Sequence, residues 1–83
     1  MNVSIIIVNY NTREITQNCI ESIFQHTKGI DFEVILVDNA STDGSIELFE
    51  KDTRLKFIES GKNIGFGKAN NLGYTYSKGK YIF

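Results

Sequence analysis

Two apolar runs, Val3-Ser-Ile-Ile-Ile-Val8 and Phe32-Glu-Val-Ile-Leu-Val37, limit what this chain can fold into more than anything else in it. Each is rich in β-branched residues and nearly unbroken, the pattern of a strand buried on both faces rather than one alternating between core and water. Strands of that kind pair in parallel, and a parallel pair needs a crossover long enough to hold a helix. The segment between them supplies one. From Arg13 to Thr27, residues Ile15, Cys19, Ile20, Ile23 and Phe24 recur at helical spacing and form an apolar stripe. Asn11 followed by Glu14 has the form of a capping box, and Gly29 stands where a helix stop is expected.

The same alternation continues. Ile46, Phe49 and Glu50 fall on a short second helix that Ser41, Thr42 or Asp43 could open. Leu55-Lys-Phe-Ile-Glu59 alternates apolar with other residues, so a third strand is expected nearer an edge of the sheet. After the glycine-rich "SGKNIGFGKANNLG" comes a third helix in which Ala69, Gly73 and Tyr76 face the sheet, and Tyr81-Ile-Phe83 begins a fourth strand. Right-handed crossovers between such units give a doubly wound α/β layer. No linker, repeat or low-complexity segment divides the chain, so residues 1–83 are read as one unit.

Composition excludes several classes. A net charge of −1 with scattered Lys and Arg offers no basic stripe for nucleic acid. The first apolar run is far too short to span a membrane, and no signal-peptide pattern accompanies it, which leads to the expectation of a cytoplasmic protein. Membrane association would belong to a longer parent protein. A lone Cys19 builds neither a disulfide framework nor a metal site and is expected to be a small buried helix residue. His26, the only histidine, has no nucleophile or carboxylate at readable spacing. No catalytic residue and no metal ligand is therefore assigned.

The polar residues gather where a ligand would be. In doubly wound sheets ligands bind at the carboxyl ends of the strands. Strand one ends in Asn9-Tyr10-Asn11, strand two in Asp38-Asn39, and strand three leads to Asn63 and Gly65. A tyrosine on such a rim can stack on a base, and a carboxylate can accept a hydrogen bond from a pyrimidine N–H. Asp38 is equally readable as a turn or helix cap, and the residues alone leave both readings open. Lys62 and Lys68 flank the glycine loop, either as solvated lysines or as a pair that steers a diphosphate.

Other motifs fail on inspection. Gly65-Phe-Gly67-Lys-Ala-Asn70 lacks the third dinucleotide-fingerprint glycine and follows strand three rather than strand one. The Gly61 to Lys68 stretch is one residue too long for a P-loop, with Ala69 where Ser or Thr is required. Ala40 and Thr42 occupy positions where a calcium loop needs Asp or Asn.

Taken together, "VSIIIVNYNT", "EVILVDNASTDGS" and "NIGFGKANNLGYTYSKGKYIF" resemble the opening of family 2 glycosyltransferases, inverting enzymes of the GT-A fold, nearest to the rhamnosyltransferase-like branch. The resemblance covers essentially the whole chain. It implies a Rossmann-like amino-terminal half with a mostly parallel sheet of about four strands and three helices, truncated, which binds a nucleoside diphosphate sugar of the UDP or dTDP type. Carried over, Tyr10 matches the residue stacking near the base and Asp38 the acid that reads the pyrimidine. Asn63-x-Gly65 and Ala69-Asn70-Asn71-x-Gly73 match the stretch that closes over ribose and diphosphate. Asn70 stands where many members carry Arg, which removes one cationic contact.

In the family, "GKYIF" is followed by an acidic motif holding Mg²⁺ or Mn²⁺, and later by the carboxylate that deprotonates the acceptor. The resemblance therefore implies that metal belongs to the full-length domain and that these 83 residues alone do not transfer sugar. The expected partners are the nucleotide sugar and either the rest of such an enzyme or a second copy. A non-enzymatic α/β interaction module with the same fold is the alternative. A phosphoacceptor or flavodoxin-like domain ranks below it, because Asn9-Tyr10-Asn11 offers no acid pair after strand one.

Overall fold

A computed structural model of the chain describes residues 2–82. Strands and helices alternate: β1 (Val3–Asn9), α1 (Arg13–His26), β2 (Phe32–Asp38), α2 (Ser45–Phe49), β3 (Leu55–Glu59), α3 (Phe66–Thr75) and β4 (Tyr81–Ile82). The sheet is four-stranded, in the order β3-β2-β1-β4, and each pairing is parallel. This is the expected doubly wound α/β layer, and β3 lies at the expected edge.

Period-two alternation along β2 divides the core between the two faces of the sheet. On one face Leu36 packs with Ile20 of α1 and Phe49 of α2, flanked by Ile7, Phe24, Leu55 and Phe57. On the other, Ile35 and Val37 meet Ala69 of α3, flanked by Ile6, Val8, Ile58, Ile64 and Leu72. The small residues of α3 act as the sequence suggests. A Cβ on Gly73 would stand 2.7 Å from Ile6 Cγ2 and 3.1 Å from Val37 Cγ2, so only glycine allows the helix this close. Strand β4 is held by Gly79, whose backbone N–H donates to Ser4 Oγ at 2.8 Å, and by Glu33, which accepts from Ser4 Oγ and the Lys78 N–H.

Several local expectations are corrected. Residues Val34 to Asp38 of β2 are all buried, whereas β1 is only half-covered along Ile5 to Val8, because among the described residues β4 pairs with just Val3 and Ser4 of it. In α1 the inward residues are Thr16 and Ile20, with Ile23 and Phe24 partly buried, while Ile15 and Cys19 are exposed. Thr16 takes the inner position because its hydroxyl donates to Asn9 Oδ1 at 2.8 Å. The Asn11 capping box does not form. Asp43 instead accepts from the Arg13 N–H, at 3.0 Å, and from the Ser45 N–H, at 3.1 Å, bridging the starts of α1 and α2. Helix α2 is preceded by Gly44 and ends at Phe49, leaving Glu50 as its cap. Tyr76 follows α3 and is exposed rather than packed on the sheet. Among the described residues no helix is long and apolar enough to cross a membrane.

Candidate functional site

Register brings the polar strand ends level with one another: Asn9 is opposite Asp38, and Asp38 opposite Glu59. The rim loops that follow β1 and β2 are then tied together. The Asn39 N–H donates to the Asn9 carbonyl at 2.9 Å, and the Ser60 N–H to the Asp38 carbonyl at 3.0 Å. Each of the first two rim loops contains a non-glycine residue with left-handed backbone, Asn11 (φ 52°) and Ala40 (φ 67°). Conformations of that kind persist only where surrounding contacts over-determine them.

Those contacts are polar, and they are buried around Asn9 and Asp38. Asn9 Nδ2 donates to Asp38 Oδ1 at 2.8 Å and to Ser41 Oγ at 3.2 Å. Asn9 Oδ1 accepts from Thr12 Oγ1 and Thr16 Oγ1 at 2.9 and 2.8 Å. Asp38 Oδ2 accepts the Ser41 N–H at 2.8 Å. Ser41 Oγ also accepts the Asn11 N–H at 3.0 Å, and Asn11 Oδ1 the Thr42 N–H at 2.7 Å. Asn9 and Asp38 are each 0% exposed, so both lie beneath the rim rather than on it. The expectation that Asp38 offers its carboxylate to a ligand is corrected accordingly: both of its oxygens are engaged within the protein.

The open space lies beside this network. A cleft of about 430 Å³ at the carboxyl ends of β1 and β2 is lined by Val8, Tyr10, Thr12, Asn39, Asn63, Gly65 and Phe66. Its volume is within the range of small-molecule sites. Tyr10 and Phe66 contribute aromatic walls that are 47% and 71% exposed. Between them, Asn39 Nδ2 donates to Asn63 Oδ1 at 3.0 Å, while Asn39 Oδ1 accepts the Ile64 N–H at 2.9 Å. Asn63 Oδ1 also accepts the Gly65 N–H at 2.9 Å, which fixes the glycine loop against β2. Helix α3 opens after Gly65 with no capping side chain, leaving its first-turn N–H groups available to an anion.

Tyr10, Asn39, Asn63 and Gly65 are thus brought to one cleft. Asn11 lines a neighbouring hollow with Arg13 and Asp43, and Asn71 is exposed on α3 outside the cleft lining. Sequence reasoning passed over Phe66, the first residue of α3, whose signal was a large apolar residue between two glycines. Among the described residues no charged side chain lines the cleft, and no group of three or more His, Cys, Asp or Glu side chains could hold a metal. The lining therefore does not fit a divalent cation.

Comparison with known proteins places this geometry. A relative from Streptococcus pneumoniae, the glycosyltransferase GlyG, is 33% identical over 84 residues, which cover 96% of this chain and 28% of the relative. A mannosyltransferase from Pyrobaculum calidifontis, solved in complex with GDP-Man and Mn²⁺, superposes with a TM-score of 0.87 at 25% identity, over 98% of this chain and 26% of its own. S. aureus TarS, in complex with UDP-GlcNAc, superposes with a TM-score of 0.77 at 30% identity, over 100% of this chain and 25% of its own. The chain thus spans about a quarter of the length of these proteins. Its α/β fold is the Rossmann-like amino-terminal portion of the GT-A glycosyltransferases. The family model for glycosyl transferase family 2 matches residues 4–83, and the chain belongs to that family.

Proposed function

We propose that this chain is the donor-nucleotide-binding portion of a glycosyltransferase, and that the nucleotide of a UDP- or dTDP-sugar enters the cleft between Tyr10 and Phe66. The observation that carries this is the pairing of two exposed aromatic walls with neutral amides at the strand ends of a family 2 fold. An aromatic face stacks on a base for about 1–3 kcal/mol. The uncharged lining suits a nucleobase and ribose, and the uncapped start of α3 suits the diphosphate. Thr12, Asn39 and Asn63 supply the polar groups for orientation, while Asn9, Asn11 and Asp38 hold the rim from beneath or beside it. On the resemblance of its motifs, the parent reaction is assigned to inverting hexosyl transfer of the rhamnosyltransferase-like branch, in glycan or polysaccharide synthesis.

Sugar transfer needs a general base for the acceptor hydroxyl and charge stabilisation for the departing diphosphate. Among the described residues the cleft lining holds no carboxylate base and no cationic side chain, so the proposed role of these residues is binding and orientation of the donor. An NMR titration with UDP, dTDP, GDP and ADP, each with and without Mn²⁺, tests the reading. Pyrimidine-selective shifts at Tyr10, Asn39, Asn63 and Phe66, unchanged by Mn²⁺, are expected. A folded chain showing no shift at those residues with any nucleotide would overturn it.

A further inference from the structure

The Tyr10 ring stands half-exposed over the cleft and, among the described residues, makes no side-chain hydrogen bond of its own. Its placement must therefore come from the backbone on either side. Asn9, before it, has a saturated carboxamide: both Nδ2 hydrogens and both Oδ1 lone pairs are used, on Asp38, Ser41, Thr12 and Thr16. Asn11, after it, is held through its N–H by Ser41 and through its side chain by the Thr42 N–H. Asp38 closes the ring by accepting from Asn9 and from the Ser41 N–H.

We infer that Asn9 and Asp38 are positioning residues, a buried pair that clamps the two rim loops together and thereby sets Tyr10 over the cleft. The consequence for binding rests on the nucleotide reading above; the clamp itself does not. Its chemistry is directional. Asp38 is an acceptor at both oxygens, and Asn9 is the donor that matches one of them. Asn9→Asp sets a second carboxylate against Asp38 Oδ1 in a site buried from solvent, where like charges repel strongly. Adding Asp38→Asn restores the match with its sense reversed. The carboxamide introduced at position 38 donates to the carboxylate introduced at position 9, and its carbonyl oxygen still accepts the Ser41 N–H. The hydroxyls of Thr12, Thr16 and Ser41 all donate to that same carboxylate.

Backbone ¹⁵N relaxation of the nucleotide-free chain at pH 8, where a shared proton is least favoured, is the first measurement. Order parameters at Tyr10 and Asn11 should fall from about 0.85 to below about 0.6 in Asn9→Asp and return in Asn9→Asp/Asp38→Asn. Ser41→Ala, which removes one acceptor shared by Asn9 and Asn11, is the milder variant should Asn9→Asp not fold. It should loosen the same residues while the sheet amides stay ordered. A rim as rigid as wild type in a folded Asn9→Asp or in Ser41→Ala would overturn the clamp.

UDP titration of the same variants separates positioning from contact. Affinity should drop about tenfold in Asn9→Asp, the scale of one buried polar mismatch, and recover in the double variant. Recovered order without recovered affinity would overturn the positioning role, because the Asp38 carboxylate would then be needed by the ligand itself. Should the wild-type chain bind no nucleotide while rim order follows the expected pattern, the clamp stands and the nucleotide reading falls.

Discussion

Gly73 gives the sharpest test of how α3 sits on the sheet. Replacing a mid-helix glycine by alanine gains about 1 kcal/mol of helix propensity when nothing else changes. Here the new methyl would stand 2.7 Å from Ile6 Cγ2 and 3.1 Å from Val37 Cγ2, against about 3.5–4.0 Å for carbon atoms at rest. Neither neighbour yields easily. Both methyls are borne on the Cβ of a β-branched strand residue with restricted χ1, and Val37 is 0% exposed. Overpacking of this kind costs about 1–3 kcal/mol, and the stiffness of both neighbours places it in the upper half. Gly73→Ala should therefore lose about 1–2 kcal/mol net, or roughly 5–15 °C in Tm for a domain this small. Gly67→Ala is the internal control: it lies in the same helix with nothing within 4 Å of its would-be Cβ, and should be neutral or gain up to about 1 kcal/mol. Urea unfolding followed by circular dichroism measures both. Equal stabilisation by the two substitutions would refute the close approach of α3 to β1 and β2.

Further expectations follow from the core, the latch and the cleft. Phe49→Ala removes a fully buried ring and should cost about 3–5 kcal/mol, against a total of roughly 4–12 kcal/mol for a chain of this length, visible as a large drop in urea midpoint or loss of amide dispersion. Burial pushes the Glu33 carboxyl up, but hydrogen bonds from Ser4 and the Lys78 N–H, with the charge of Lys56, outweigh it and leave it lowered. Its contribution is therefore present above the ordinary glutamate value of about 4.3 and lost as pH falls through the lower folded value, so urea midpoints of Glu33→Gln should change less across that window than wild type. Gly79→Ala would put a methyl 2.5 Å from the Ser4 backbone nitrogen, and should speed hydrogen exchange of the Tyr81 amide while leaving that of β2 unchanged. Phe66→Ala should weaken UDP binding by about 1–3 kcal/mol in calorimetry, with the fold intact because the ring is 71% exposed.

The sheet was legible because its signals are local and dense. The apolar runs of β1 and β2 marked parallel strands, though only β2 is buried along most of its length, and the alternation in β3 marked an edge. Ala69 and Gly73 marked the close face of α3. The rotation of α1 was not legible, because it is set by the Thr16 hydroxyl reaching Asn9, a polar contact that no hydrophobic period can express. The same holds for Asp43, which caps a helix start thirty residues before it in the chain. At the rim, the strand ends were found but their depth was not. Asp38 and Asn39 are neighbours in sequence, yet only Asn39 lines the cleft, because Asp38 is drawn beneath it by Asn9 and the Ser41 N–H.

The strand pairings also impose an order of assembly. No two neighbours in this sheet can form a hairpin: Val3 must find Phe32 across a whole helix, and Val34 must find Leu55. Folding has to close long loops before any ladder rewards it, which favours slow kinetics for so short a chain. The pairing of Val3 with Tyr81 closes the longest loop of the sheet, and among the described residues it adds two pairs to strand β1. Strand β4, which has the longest loop to close, is therefore expected to pair last.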